Sequence, residues 1–357
     1  MSEELCVFYL ARAGEGLEAF ENFVNSYRSF ASGRPHRLVV IYKGFDVEPE
    51  TPLTTIRDDI FFVSDDLTDI GSYIEAATQC SAEYVCFLNT FSVVLAPNWL
   101  NYLYNAISND SVGIAGATAS WESIYDTLAY LGKAIWLTET KKILRHAGMM
   151  RQFGPFLRLY SPRWSSGYRS SSPITKFVSR FLAPYSSRKE AGFPEYWASV
   201  TAPGGPLNLY SDIPRFPNPH IRSNGFIVRR ADLLREFPAI EQGKHAAHLF
   251  ESGPLSLTSR LLAAGKSAVV VGRNGQAYPP NEWPNSGTFR LGRQTNLLIG
   301  DNQTRSYENM PPGERETHTY FTWAIRPAMS SFLTLGMNFE SKKLLTDPSL
   351  SRGAKKT

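Results

Sequence analysis

The stretch from Tyr84 to Leu100 carries the residues whose types and spacing bear most directly on chemistry. An apolar run, Tyr84-Val85-Cys86-Phe87-Leu88, stops abruptly at Asn89-Thr90-Phe91-Ser92, and Pro97 then opens a helical pattern. An amide and hydroxyls just past a buried strand can bond a ribose or a phosphate, although an ordinary polar strand end has the same composition. Asp69, Gly71 and Tyr73 open another helical pattern. There a carboxylate can accept hydrogen bonds, a glycine permits close backbone approach and an aromatic ring can lie on a flat base; Thr68 or Asp69 equally suits a helix cap. Ala11 and Arg12 follow the first apolar run, where Arg12 either adds charge beside an anion or is a solvated surface arginine.

Further clusters come later in the chain. Asn218 to Arg230 contains His220 and Asn224, an imidazole and an amide able to hydrogen-bond a ligand; a lone histidine without nearby carboxylates is more often structural than metal-binding. Ala247 to Thr258 places Glu251 just ahead of Gly253-Pro254. A carboxylate there can move a proton, and it is also favoured by the dipole of a helix starting after it. Trp283 to Tyr307 concentrates Arg290, Arg293, Gln294, Asn296, Asp301, Asn302 and Gln303, a polar stretch that either closes over a ligand or faces solvent.

Elements that could position these groups follow from periodicity. Leu5 to Ala11 reads as a strand; Leu17, Phe20, Phe23, Val24, Tyr27 and Phe30 mark a helix ending at Gly33; Arg37 to Lys43, Asp59 to Val63 and Tyr84 to Leu88 are strands. Ile70, Ile74 and Ala77 mark a helix, Leu100, Leu103, Tyr104 and Ile107 another starting at Pro97, and Val112 to Ala117 a strand. Such alternation predicts an α/β fold with a largely parallel sheet, whose ligands sit beyond the carboxyl ends of the strands. Between Trp121 and Pro219 it gives way to an aromatic, basic, Ser- and Pro-rich stretch. It resumes at Phe226 to Val228, a helix from Pro254 to Ala264 capped by Gly265, and a strand at Ala268 to Val271; after Gly272 few periodic signals remain.

Composition excludes several classes. The 357 residues are 43% apolar and 20% charged, enough for one large core with additions, and only Ser349 to Thr357 has the character of a disordered tail. The start, Met1 to Leu5, lacks the features of a secretory signal, and no apolar run reaches membrane-spanning length, so a soluble cytoplasmic protein is expected. Cys6, Cys80 and Cys86 have no metal-ligand spacing and read as buried thiols in a reducing compartment. No internal repeat and no glycine-rich phosphate loop is present, which disfavours classical dehydrogenases and P-loop enzymes.

Tyr84 to Leu100 resembles the strand, acidic motif and following helix of GT-A glycosyltransferases, particularly the family-2-like enzymes of bacterial surface-polysaccharide synthesis. The resemblance covers roughly residues 5 to 120, with a looser match to Gly272. It implies a GT-A, Rossmann-like fold and transfer of a hexosyl or deoxyhexosyl group from a nucleotide-sugar donor to a glycan or lipid-linked acceptor. Donor contacts are then expected at Ala11, Arg12, Asp69, Gly71, Tyr73, Asn89, Thr90 and Ser92, sugar or acceptor contacts at His220 and Asn224, and the base of an inverting reaction at Glu251. The family motif usually holds Mg²⁺ or Mn²⁺ through carboxylates. Here Asn89-Thr90-Phe91 stands in its place without negative charge, so metal ligands are left unassigned. The missing acids also suit an alternative, a catalytically reduced scaffold protein of a polysaccharide synthesis complex.

The expected division is 1–120 for the nucleotide-sugar half of the core, 121–219 for a basic aromatic insertion, 220–345 for the acceptor and catalytic half, and 346–357 for a disordered tail. Lys141 to Lys189 contains eleven Lys or Arg and no Asp or Glu, interleaved with aromatics such as Phe153, Trp164 and Phe181. Such a stretch suits peripheral contact with the anionic inner face of the cytoplasmic membrane, though it can equally cover the core or a partner subunit. No nucleic-acid motif accompanies it, so nucleic acid is not an expected partner.

Overall fold

In the computed structural model, residues 4–129, 202–203, 205–238 and 243–325 are described. The basic stretch 141–189, most of the expected insertion and the C-terminal tail lie outside them. The described residues divide between two compact units. One takes the chain to Trp121 together with Asn218–Asn309, the other the described parts of Glu122–Pro217 and Met310–Asp347.

The first unit is built on β1 (Leu5–Arg12), α1 (Leu17–Ser29), β2 (Arg37–Lys43), β3 (Asp59–Val63), α2 (Asp69–Gln79), β4 (Tyr84–Leu88), β5 (Val93–Val94), α3 (Trp99–Ile107), β6 (Val112–Gly116) and β7 (Ala119–Ser120). After the second unit it resumes with β8 (His220–Ile221), β9 (Phe226–Arg229), α5 (Arg230–Glu236), α6 (Lys244–Ser252), α7 (Leu257–Ala263), β10 (Ser267–Val271), β11 (Ala277–Tyr278), β12 (Ile299–Gly300) and α8 (Asn302–Glu308). An eight-stranded sheet runs β11-β10-β6-β9-β4-β1-β2-β3, with β9 and β11 antiparallel and the rest parallel. The fold class is therefore the expected one, α/β with a mostly parallel central sheet.

Both faces of that sheet are covered, which is why its strands read as nearly continuous apolar runs. On one face Leu5, Val7 and Tyr9 pack with Phe20, Phe23, Leu100 and Leu103, Tyr9 stacking on Phe23 at 3.8 Å. On the other, Phe87 stacks with Phe8 at 5.5 Å and Tyr73 at 4.7 Å and meets Phe226 at 5.1 Å. Burying rings of this size stabilises the sheet by roughly 1.5–3 kcal/mol per side chain.

Some helix boundaries differ from the expected ones. The helix expected at Pro97 begins at Trp99, because Asn98 adopts a left-handed conformation (φ 62°) and turns the chain first. The helix expected at Pro254 begins at Leu257, where the Ser256 hydroxyl accepts the Ser259 N–H and supplies the cap that Pro254 cannot. Gly33 lies past the end of α1 in a turn at φ +75°, where a Cβ would come within 2.5 Å of Asn98 Oδ1. The stretch after Gly272 is less irregular than its composition implies: it contains β11, β12 and α8.

The second unit includes the short helix α4 (Pro206–Leu209) and α9 (Pro312–Trp323). Leu128 and Leu207 form a small apolar cluster in it with Ile124, Tyr125 and Tyr210. Asp126 accepts from the Phe216 N–H and pairs with Arg215, whose guanidinium lies 3.4 Å from the Tyr125 ring centroid. Among the described residues no helix is long and apolar enough to cross a membrane.

Candidate functional site

Sheet register brings the carboxyl ends of the parallel strands and the amino end of antiparallel β9 to one edge. Past β4, Asn89 Oδ1 accepts the Phe91 N–H at 3.0 Å and lies 3.3 Å from Ser92 Oγ, closing a tight turn. Asn224, just before β9, accepts the Asn89 N–H at 2.9 Å and the Ser92 hydroxyl at 2.7 Å through Oδ1. The Ser92 proton goes to this shorter bond, since a hydroxyl carries only one. Asn224 is buried and, among the described residues, its Nδ2 has no hydrogen-bond partner, a donor left over at the centre of the cluster. The neighbouring Gly225 takes φ +65°, and a Cβ there would press on Ala117 and Ile299 at 3.2–3.3 Å; glycine is what lets the loop enter β9 at this point.

Thr90 serves β1 instead. Its hydroxyl donates to Leu10 O at 2.8 Å and its carbonyl accepts from Tyr9 OH at 2.7 Å, so its polar groups are consumed within the fold.

Glu251 occupies the last turn of α6, not the approach to a helix N-terminus. The helix-dipole explanation for a glutamate there is therefore withdrawn: at a helix C-terminus the dipole disfavours a carboxylate. Other groups stabilise it. Glu251 Oε2 accepts the Ser223 N–H at 2.7 Å and the Ser223 hydroxyl at 2.5 Å. Burial pushes its pKa up, but Arg222, His220 and the two Ser223 bonds outweigh that and hold the carboxyl below the usual carboxylate range. Among the described residues no hydrogen bond reaches Oε1, which leaves one oxygen available to take a proton.

The supports of Glu251 are themselves held. Arg222 pairs with Asp301 at 3.3 Å and lies 4.3 Å over the Phe289 ring. Asp301 also caps α8 through the Thr304 N–H at 2.8 Å. His220 Nδ1 bonds Asn218 O at 2.8 Å, and Asn218 Nδ2 donates to Ser252 O at 2.7 Å, linking the β8 segment to the end of α6. One turn before Glu251, burial pushes the His248 pKa down against the opposing pull of Glu251.

At the ends of β1 and β2, Arg12 pairs with Glu15 at 3.2 Å and lies 3.7 Å from Asp69. The cap of α2 is Thr68, whose hydroxyl accepts the Gly71 N–H at 3.0 Å, so Asp69 remains half-exposed beside Arg12. Ala11 is fully buried. Tyr73 corrects the expectation that its ring lies on a base: it is 2% exposed and stacked on Phe87, because its place in the first turns of α2 faces the sheet. His220 and Asn224 are likewise buried and act as internal connectors, with the Asn224 Nδ2 group the one left unsatisfied.

Several residues were missed in sequence. Ser223, Arg222 and Asp301 support Glu251; the stretches that hold them, Asn218 to Arg230 and Trp283 to Tyr307, stood out in the sequence, but their relation to Glu251 did not. Lys43, read simply as a strand end, is buried with its amine bonded to Asp65 O at 3.1 Å and paired to its carboxylate. Arg305 donates to Phe91 O at 3.1 Å. A shallow groove of about 520 Å³ elsewhere on this unit is lined by Leu17, Glu21, Glu48 and Glu50 among others. Its carboxylates repel a diphosphate, and none of its lining residues belongs to the cluster above.

The residues present do not fit the divalent metal that the resemblance implies. Mg²⁺ and Mn²⁺ take several oxygen ligands, usually including carboxylates. Asn89 Oδ1 is spent on its own turn, Thr90 on β1 and Glu251 Oε2 on Ser223, and no group of three His, Cys, Asp or Glu among the described residues can hold an ion.

No family model and no curated protein matches the chain. Among solved structures 192 chains match. One is a crystal structure of GalNAc-T7 with UDP, GalNAc and Mn²⁺, 18% identical, with a TM-score of 0.26. The likeness spans 32% of this chain and 23% of that one.

Proposed function

We propose that this protein is a glycosyltransferase that uses Glu251 as the base of an inverting reaction. The acceptor hydroxyl attacks the anomeric carbon of a nucleotide-sugar, the anomeric carbon–phosphate oxygen bond breaks, the nucleoside diphosphate leaves with the electron pair, and the hydroxyl proton passes to Glu251 Oε1. The observation that carries this reading is the Glu251 carboxylate itself, held below the usual carboxylate range and aimed by two bonds from Ser223 onto one oxygen while, among the described residues, the other takes none. Ser223 stands one residue from Asn224, which ties the same loop to the Asn89 turn. A base of this kind contributes about 10²–10⁴-fold to a rate.

In this reading residues 1–120 hold the nucleotide, with Arg12 and Asp69 beside the strand ends and Asn89 and Ser92 forming the turn beneath it. Residues 220–345 carry the acceptor side, and the product is a bacterial surface glycan. The basic segment 141–189 brings the enzyme to anionic lipid, each Lys or Arg near the surface contributing about 1 kcal/mol. Flotation with anionic vesicles, with and without 141–189, tests that part: flotation independent of the segment would remove it.

The test of the central reading is a thermal-shift series with UDP, GDP, CMP and dTDP sugars, in EDTA and with Mn²⁺ or Mg²⁺, followed by turnover of any stabilising donor. A ligand that binds only the folded state raises its melting temperature. Stabilisation by one nucleotide class with slow donor hydrolysis is the expected result. The second reading, a scaffold that binds nucleotide sugar or glycan without turnover, is favoured by the absence of carboxylates at Asn89-Thr90-Phe91. Stabilisation with no hydrolysis or transfer would select it.

A further inference from the structure

We infer that the guanidinium of Arg305, supported by Arg273, supplies the positive charge that faces the donor's diphosphate at the Asn89–Ser92 turn, so that donor binding needs no divalent metal. This rests on the proposed donor site.

Charge along the chain is the first observation. Between Tyr84 and Asn109 there is no Asp, Glu, Lys or Arg. Whatever charge the turn experiences comes from elements folded onto it.

Besides Asn224 and Tyr9, two cations reach the backbone of Asn89 to Leu95. Arg305, in the last turn of α8, donates from Nη1 to Phe91 O at 3.1 Å, at the third position of the segment that replaces the acidic motif. Arg273 donates from Nη2 to Leu95 O. Among the described residues neither guanidinium pairs with a carboxylate, whereas Arg222 has Asp301. Glu308, one turn beyond Arg305 on α8, is bonded by Gln294 Nε2 at 3.1 Å. A guanidinium has five N–H donors, and a single carbonyl bond neither exhausts them nor compensates the charge.

The placement is also fixed. Ile299 and Gly300 of β12 pair with Val94 and Val93 of β5, and the Leu95 N–H donates to Leu298 O at 3.1 Å. Directly after β12, Asp301 and Thr304 form a reciprocal capping box that starts α8. Arg305 is thereby carried on an element whose register against the turn is set by backbone bonds, not by a flexible loop. A dication at the same turn would meet the Arg305 guanidinium, with Arg273 on the segment that follows, and among the described residues of Tyr84 to Asn109 no carboxylate; a phosphate would meet complementary charge and N–H donors in the bidentate geometry that arginine provides.

Calorimetric titration of wild type, Arg305→Gln and Arg305→Lys with UDP, GDP and dTDP, each in EDTA and in Mn²⁺, tests this. The expected result is one nucleotide bound by wild type with equal affinity in both buffers, weakened about tenfold or more by Arg305→Gln and partly restored by Arg305→Lys. Melting temperatures identify any variant that has lost its fold, in which case the wild-type comparison between EDTA and Mn²⁺ and the Arg273→Gln variant carry the test. Binding that requires Mn²⁺, or that Arg305→Gln leaves intact, overturns this inference while sparing the donor site. No binding by wild type in either buffer overturns the donor-site reading itself, and this inference with it.

Discussion

The side-chain oxygen of Asn224 accepts the backbone N–H of Asn89 at 2.9 Å across 135 positions of sequence, and with the same atom takes the hydroxyl of Ser92. One amide thus joins the loop that carries Ser223 to the turn that ends β4. The acceptor side and the donor side of the proposed site are fastened at this point.

Removing that amide leaves the Asn89 N–H without its acceptor and the Ser92 hydroxyl with only the longer contact to Asn89 Oδ1. Asn224→Ala is expected to lower stability by about 2–3 kcal/mol, the cost of buried unsatisfied groups added to the lost bonds. Urea denaturation measures it, and a change below about 0.5 kcal/mol, the level of ordinary surface substitutions, would show that the junction carries no strain on removal.

Glu251→Gln keeps the size of the side chain and an oxygen for Ser223 while removing the base. Turnover is expected to fall by about 10²–10⁴-fold with donor affinity unchanged. Equal losses of both, measured by kcat and donor Kd, would reassign Glu251 to binding.

The lowered pKa of Glu251 makes a prediction with a definite sign. Its folded-state value lies below the unfolded value, so its ionisation stabilises the fold fully above about pH 4.3, the ordinary glutamate value, and the contribution is lost as pH falls through the folded-state value. The stability difference between wild type and Glu251→Gln should therefore shrink on acidification below that range. In rate measurements the acid limb of kcat/KM should lie below the ordinary carboxylate range and move upward in Ser223→Ala. An acid limb unmoved by that substitution would separate Ser223 from the ionisation of Glu251.

Tyr73 distinguishes a core residue from a base platform. Its hydroxyl is buried with no partner among the described residues, so Tyr73→Phe is expected to be neutral within about 0.5 kcal/mol or slightly stabilising, with nucleotide-induced thermal shifts unchanged. Tyr73→Ala should cost about 3–5 kcal/mol, as for other large aromatic truncations. Loss of the nucleotide response in a stable Tyr73→Phe protein would return the residue to the ligand site.

The cysteines differ in reactivity. A hydrogen bond with the Cys6 thiol, opposed by burial, brings the Cys80 thiol down to about 6, while burial pushes Cys86 well up. Iodoacetamide at neutral pH is expected to label Cys80 before Cys86 as read by peptide mass spectrometry, because the thiolate is the nucleophile. Labelling in the opposite order would mean that access, not ionisation, governs both.

Much of the fold was legible because the sheet is buried on both faces. Arg37 to Lys43 and Tyr84 to Leu88 announce themselves as unbroken apolar runs, and the 3.6-residue spacing of Leu17 to Phe30 marks the helix that covers one face. Starts of helices were less legible: Asn98 and Ser256, not the nearby prolines, decide where α3 and α7 begin, and a left-handed turn or a capping hydroxyl is a local choice among several equally plausible residues. Glu251 was legible as a carboxylate near a helix boundary, yet it belongs to the end of α6, not to the beginning of the next helix.

Sequence by itself determined the α/β alternation, the polar turn after β4 and the absence of charge from Tyr84 to Asn109, since each depends on residue types and their spacing along one segment. Tertiary structure alone decided that Ser223 grips Glu251, that Asn224 closes onto Asn89, that Tyr73 faces the core and that Arg305 lies on Phe91. Those relations join residues 28, 135 and 214 positions apart for the hydrogen-bonded pairs, and only the register of β9 against β4 and of β12 against β5 brings them within reach.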